Sequence, residues 1–144
     1  NYSPSIVPID AGIPGTPVTI PDSWYLNGID CWKAASCVVV GENKTEEGIV
    51  DIVTGSTAPA PKVIKESEYL YGAGCDSSGD CVLTGASTPG ADGYSTAIVV
   101  DWAKGAASSP RTIAATNGFG QVVCAGAGLG GCLSVGEKFA PPGA

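Results

Sequence analysis

A chain of 144 residues with 21 glycines, 11 prolines and 15% charged residues has the composition of one domain made of many short strands joined by turns. The net charge is −7, histidine is absent and Arg111 is the one arginine, so the composition argues against a nucleic-acid partner or an anionic membrane surface. No stretch reaches the roughly 18 apolar residues of a membrane-spanning helix and no signal peptide is visible, so we expect a soluble protein without membrane insertion.

In chain order, the predicted strands fall into three copies of a four-strand unit, A-B-C-D. A half-repeat at 5–23 supplies C and D, repeats at 24–67 and 68–116 supply all four strands, and a half-repeat at 117–138 supplies A and B. A tail follows at 139–144. The first and last half-repeats together make one whole unit, a permutation by which β-propellers hide their strand edges.

Two alignments carry this repeat. Around the cysteines, "LNGIDCWKAASCVVVGEN", "LYGAGCDSSGDCVLTGAS" and "FGQVVCAGAGLGGCLSVGEK" share an apolar stretch, a small loop between two cysteines, a second apolar run and a glycine. Upstream, each copy has a glycine, then a proline, then an isoleucine at matching positions: Gly12, Gly55 and Gly105; Pro17, Pro61 and Pro110; Ile20, Ile64 and Ile113.

The six cysteines form three local pairs: Cys31 with Cys37, Cys75 with Cys81, and Cys124 with Cys132. Their spacings differ from those of zinc knuckles and of C-x-x-C redox pairs, so we expect three disulfides and no metal or other cofactor. Disulfides in so small a chain indicate an oxidising compartment, and hence a secreted or extracellular protein.

The stretches "GIDCWKAASCVVVGEN" and "GAGCDSSGDCVLTGAS" resemble the blades of secreted bacterial propeller repeats, in which a C-x5-C pair lies between the first two strands and precedes a "VAVG"-like strand. The resemblance implies an all-β fold of propeller-like blades and transfers no catalytic residue. The third copy departs from the pattern, because its cysteine loop is longer and Gly118 replaces the aromatic that precedes strand A elsewhere (Tyr25 and Tyr69).

Three blades are too few for a known propeller, which has about four to eight. We therefore expect a homodimer in which the two half-repeats of different copies complete a six-bladed ring. Three alternatives remain: a fragment of a longer propeller, a β-trefoil monomer with the same threefold repeat, and an open fibre made by the same exchange of strands.

Catalysis has few candidates. Without histidine there is no Ser-His-Asp triad or Cys-His pair. Asp76 and Asp80 could act as paired carboxylates, but they lie in a tight loop where aspartate usually caps backbone amides. Glu42, Glu46 and Glu47 are expected in a solvated loop and Arg111 at the surface.

Aromatic side chains are the better ligand candidates, because sugars stack on exposed rings. Trp32 replaces small residues of the other cysteine loops and is the first candidate, followed by Trp24 and Tyr25, whereas Trp102 is expected in the core. The sequence thus favours a non-catalytic extracellular module that binds a glycan or a protein. The alternatives are structural self-assembly and, last, a carboxylate-dependent glycoside hydrolase.

Overall fold

The computed structural model describes residues 3–126 and 128–138, and these residues form an all-β structure, as predicted. The strands are β1 Ser5–Ile6, β2 Ile9–Asp10, β3 Ile13–Pro14, β4 Val18–Thr19, β5 Tyr25–Lys33, β6 Ser36–Glu42, β7 Gly48–Thr54, β8 Lys62–Val63, β9 Ser67–Cys75, β10 Cys81–Ser87, β11 Ala97–Ala103, β12 Ala106–Ala107, β13 Arg111–Thr112, β14 Thr116–Cys124 and β15 Cys132–Lys138. A 3-10 turn spans Leu129–Gly131. None of the described segments is a helix long and apolar enough to cross a membrane. The tail at 139–144 lies outside the described residues.

All of the described strands pair in antiparallel fashion within open sheets. The first full sheet has the order β5-β6-β7-β8, and the second has β9-β10-β11, with β12 and β13 both beside β11. The last hairpin is β14-β15. The first half-sheet consists of β1 paired with β4 and β2 paired with β3. The β1–β4 pair corresponds to β11–β13 of the second full sheet, and the β2–β3 pair corresponds to β11–β12.

The turn that enters strand A has the same construction in all three copies. In each, a hydroxyl donates a hydrogen bond to the carbonyl of the isoleucine three residues earlier. The residue before that hydroxyl has a positive φ of 53°, 63° or 57°. This left-handed backbone conformation reverses the chain within the short turn. The hydroxyls belong to Ser23, Ser67 and Thr116, and the positive-φ residues are Asp22, Glu66 and Ala115.

The sheets stack face to face in chain order. One buried cluster joins the first full sheet to the second through alternate residues of the facing strands, among them Val38, Val40, Leu83, Ile98 and Trp102. The expected core position of Trp102 is confirmed, since it is 3% exposed. A smaller cluster joins the first half-sheet to the other face of the first full sheet and includes Ile6, Ile20, Val39 and Val53.

The A strands of neighbouring sheets approach closely because glycines face the junctions. A Cβ added at Gly28 would lie 2.5 Å from the Tyr71 carbonyl oxygen, and one added at Gly72 would lie 2.1 Å from the Gly120 carbonyl oxygen. No side chain fits at either place without moving the backbone. At the matching position of the last hairpin the residue is Gln121, which is exposed.

The repeated glycines serve two different purposes, turns in one set and close backbone contact in the other. Gly12, Gly55 and Gly105 do have positive φ at the turns that follow strand C. Gly41, Gly85 and Gly136 instead lie within β6, β10 and β15, where the backbone of strand A leaves no room for a Cβ. The cause is a register shift between strands A and B, which brings the two backbones together.

Within one chain, the two half-repeats lie at opposite ends of the stack. Among the described residues, no strand of the first half-sheet pairs with β14 or β15. Among residues 3–126 and 128–138, neither half-repeat is completed to four strands.

The substitution Gly72→Ala is expected to destabilise the protein by about 1–3 kcal/mol, because the methyl group overlaps backbone that cannot rotate away. The measurement is the free energy of unfolding in denaturant. Gly130→Ala is the matched control, since a Cβ there meets nothing within 4 Å. Equal stability of the two variants would contradict the close contact between A strands.

Candidate functional site

The three predicted disulfides are confirmed: Cys31 with Cys37, Cys75 with Cys81 and Cys124 with Cys132. Each joins residues that face one another across an A-B hairpin. No cysteine is left free. As disulfides, the six cysteines stabilise the hairpins.

Asp76 organises the second cysteine loop. Its Oδ1 accepts hydrogen bonds from the Ser78 amide at 2.8 Å, the Ser78 hydroxyl at 2.6 Å and the Asp80 amide at 3.2 Å. Its Oδ2 accepts one from the Gly128 amide in the third cysteine loop at 3.1 Å. These bonds, that from the Ser78 side chain above all, lower the pKa of Asp76 below its ordinary value. Asp76 is thus a structural cap that ties two repeats together.

The aromatic candidates lie at the two ends of β5 and form no common site. Trp24 and Tyr25 precede or begin the strand, are about half exposed, and contact each other edge to face with ring centroids 5.6 Å apart. Trp32 lies near the other end, is half-buried, and covers Gly79 in the loop of the next sheet. Part of the Trp32 ring is therefore used in packing. Ligand binding by these three residues stays a prediction.

A groove of about 580 Å³ lies between the start of β9 and the last hairpin. Tyr69 and Tyr71 line one side in an edge-to-face pair with centroids 4.8 Å apart, and Phe119 lines another. The exposed side chains of Asn117 and Glu137 supply polar groups at the same groove. We call this the tyrosine groove.

Gly118 opens the tyrosine groove. It occupies the position that Tyr25 and Tyr69 hold in the other copies, and a Cβ built on it meets only the Tyr69 hydroxyl, at 3.6 Å. A tyrosine at this position would project into the space next to Tyr69. The break in the repeat therefore creates a cavity where the other copies place a ring.

The tyrosine groove can offer ring faces, hydrogen bonds and one carboxylate. Burial, with smaller effects of Glu68, Tyr71 and Glu42, raises the pKa of Tyr69, so its hydroxyl remains a neutral hydrogen-bond donor at physiological pH. Tyr71 is 46% exposed, so part of its ring is open to a ligand. The alignment of the repeats identifies Gly118 as a break in the pattern, but it contains no signal that links Gly118 to Tyr71 or Phe119.

The other polar candidates lie elsewhere. Arg111 forms a two-pronged ion pair with Asp101 at 2.6 and 3.0 Å on the surface. Glu47 accepts hydrogen bonds from Asn43 and Thr45 in the exposed turn after β6, and these lower its pKa. Within residues 3–126 and 128–138, no three metal-ligating side chains come together.

Asp51 is an unusual buried carboxyl group. It is 4% exposed, and its Oδ2 has no hydrogen-bond partner among the described residues. Burial raises its pKa above the ordinary value. The β6–β7 and β10–β11 pairings place it at the position that Val100 occupies in the second full sheet, where an apolar side chain fills the same layer.

Comparison with known proteins gives no relative from which a function could be transferred: no family model matches the chain, and no curated protein or solved structure is significantly similar.

The substitution Asp76→Asn is expected to lower stability at neutral pH but not in acid. Because the folded pKa lies below the ordinary 3.8, the carboxylate stabilises the fold fully above about pH 5, and this contribution disappears as the pH falls below that ordinary value. Unfolding free energies between pH 7 and pH 2.5 should converge for the two proteins. Asp10→Asn, at an exposed position, is the control; a constant difference at all pH values would contradict the role of the charge.

The substitution Asp51→Val is expected to raise the free energy of unfolding at pH 7 by about 1–3 kcal/mol, because it removes an unsatisfied buried oxygen. Since the folded pKa is raised, the folded state of the unsubstituted protein loses stability as the pH rises through the ordinary 3.8 toward the folded pKa. The advantage of valine should therefore shrink in acid. Chemical denaturation at pH 7 and in acid measures the difference in stability between the two proteins. A variant that is destabilised at pH 7 would show that Asp51 has an undetected partner.

Proposed function

We propose that this chain is a non-catalytic extracellular recognition module that binds a glycan in the tyrosine groove. The observation that carries the proposal is Gly118, whose missing side chain leaves a groove with aromatic walls beside Tyr69, Tyr71 and Phe119. Pocket volumes of this order accommodate small ligands. Three disulfides in a small domain are consistent with an extracellular location.

The chemistry of the groove fits a sugar better than a peptide or an anion. A pyranose ring can place its C–H face on the Tyr71 ring while its hydroxyls bond to Asn117, Glu137 and the Tyr69 hydroxyl. The carboxylate of Glu137 and the net charge of −7 oppose acidic ligands. The groove is open to solvent along one side, which suits an internal or terminal unit of an oligosaccharide.

The proposed scaffold is a segment of a β-propeller. Successive open sheets stack face to face with their A strands in contact at one edge, which is the arrangement of neighbouring blades. The described strands form separate open sheets, which supports this proposal over the β-trefoil.

A second candidate function is self-assembly, and the two ends of the stack favour it. The large exposed apolar side chains include Val7 and Ile9 of the first half-repeat and Val123, Leu133 and Val135 of the last hairpin. Such apolar surface at open sheet edges is typical of sites that contact another chain.

The decisive test of glycan binding restores the residue that the repeat lacks. On a glycan array, we expect the protein to bind a subset of oligosaccharides, and Gly118→Tyr to weaken binding of the best of them at least about tenfold by occupying the groove, the equivalent of about 1.4 kcal/mol. Tyr71→Ala should weaken it as well. Isothermal titration calorimetry gives the affinities.

Tyr25→Ala and Trp32→Ala are the matched controls for this test. They remove aromatic candidates outside the groove, so they should retain binding. Binding that is lost in Trp32→Ala but kept in Gly118→Tyr would move the site to the first cysteine loop, and binding to no glycan at all would refute the proposal.

A further inference from the structure

Strands B and C pair with each other in both full sheets. At the two ends of the stack, the equivalent edges of a B strand and a C strand have no partner among the described residues. Strand β6 pairs with β7, and β10 pairs with β11, but the corresponding edge of β15 has no partner among the described residues. Likewise β7 and β11 each pair with a B strand, whereas the segment that starts with β1 does not. Within the described part of the chain, the last hairpin has no strands C and D beside it, and the first half-sheet has no strands A and B.

The exposure of matching positions shows what the last hairpin lacks. Leu133 is 77% exposed, whereas its counterparts Val38 and Val82 are 0% and 9% exposed. Val135 is 69% exposed, whereas its counterpart Val40 is fully buried. In the full sheets these positions face the next sheet of the stack, so the last hairpin presents a face shaped for packing without a sheet to pack against.

The first half-repeat shows the complementary deficit. Ile9 is 71% exposed, whereas Val53 and Trp102, its counterparts when the repeats are matched by the pairing of strands C and D, are nearly buried. On neighbouring β5, Ile29 is 48% exposed, whereas its counterpart Ala73 is fully buried under the A strand of the sheet before it. An A-B hairpin in front of β5 would cover Ile29.

The repeat fixes the register in which the two free edges fit. In the full sheets Val39 lies opposite Asp51, and Leu83 lies opposite Val100. Carried to the ends of the stack, this register places Ser134 opposite Val7. It also places Val135 opposite Ile6, and Leu133 opposite Pro8.

The backbone of the first half-repeat is arranged for this pairing. On the strand D side, the Pro4 carbonyl accepts a hydrogen bond from the Ile20 amide, and the Pro8 carbonyl accepts one from the Gly15 amide. The second full sheet has the equivalent bond, from the Ser108 amide to the Asp101 carbonyl. Alternate residues of a strand point their polar groups to opposite edges, so the amides and carbonyls of Val7 and Ile9 face the free edge. Pro8 has no N–H, but its backbone faces strand D. The free edge therefore loses no hydrogen bond.

A groove lies beside each edge. One of about 350 Å³ runs between the last hairpin and the outer face of the second full sheet, with Val82, Val99 and Val122 in its lining. It lies where Val7 and Ile9 of an added strand C would pack. The other, of about 290 Å³, lies beside β1 and β5 and is lined by Ile29, Val39 and Leu26. An added A-B hairpin would occupy it.

We propose that residues 5–9 of one copy pair with β15 of a second copy, with Ile6 opposite Val135, and that two copies complete each other as a closed pair. The inference rests on the proposed self-assembly and on the propeller-like scaffold, and it is independent of glycan binding. The occupant is a second copy because its edge has the matching register, hydrogen-bond direction and apolar face. Two such junctions close a ring of six sheets with two-fold symmetry.

The new junction differs from the internal ones at one residue. Gly28 and Gly72 allow the next A strand to approach, whereas Gln121 has a side chain at the matching position. The last hairpin and β5 of the second copy therefore stand further apart at this point. The Gln121 carboxamide, whose Nε2 donates to the Val122 carbonyl at 3.2 Å, can fill the gap.

The test is a pair of cysteines placed at the predicted register in the full chain, Ile6→Cys with Val135→Cys. In the full sheets, the residues at the positions of Ile6 and Val135 form a non-hydrogen-bonded pair. The Cα atoms of such a pair lie about 4.5 Å apart, a distance that a disulfide can bridge. After oxidation we expect a covalent dimer with two new bridges, each joining position 6 of one copy to position 135 of the other, located by peptide mass spectrometry. Ile6→Cys with Ser134→Cys is the matched control, because those side chains point to opposite faces and should not bridge.

The unsubstituted protein provides a second, independent measurement, since its native mass in solution should equal two copies. A monomer in solution, a bridge within one chain, a ladder of higher oligomers or equal bridging in the control would each overturn the closed pair. Gly118→Tyr should leave the native mass unchanged while it weakens glycan binding. Failure of the assembly and failure of glycan recognition therefore give different results.

Discussion

The close contact between successive A strands is the constraint on which the stack depends. At Gly28 and Gly72 the next strand lies where a side chain would otherwise be, so the backbones themselves determine the spacing of the sheets. That spacing brings Val38 and Val40 into contact with Leu83, Ile98 and Trp102, and it lets the Asp30 carboxylate accept a hydrogen bond from the Cys75 amide at 2.7 Å. The core and the cross-repeat polar contacts both follow from it.

The candidate site arises where the repeat is broken. Each copy has the strands to place an aromatic ring beside strand A, but the last copy has Gly118 and therefore has a groove instead of a ring. The positions of Tyr69 and Tyr71 do not depend on Gly118, because their own strand, β9, is anchored by β10 and by the Ser67 turn. The same position thus holds an aromatic ring in two copies and opens a groove in the third.

The sequence predicted what depends on local spacing. Paired cysteines six or eight positions apart indicated disulfide-closed hairpins, and the aligned position of Trp102 indicated its burial; both are confirmed. It did not predict contacts between repeats. Trp32 was expected on an exposed surface, but it contacts Gly79, which is 47 residues away in the chain and becomes a neighbour only when two sheets stack. The tyrosine groove was missed for the same reason, since Tyr71 and Phe119 belong to different repeats.

The disulfides have a consequence for how the chain matures. Each bridge spans six or eight residues and lies within its own hairpin, and no bridge joins one repeat to another. Each hairpin can therefore be oxidised on its own, before the later repeats have folded. Correct bond formation then requires only local encounters, which are fast compared with thiol chemistry. Oxidative maturation is thereby separated in time from the stacking of the sheets.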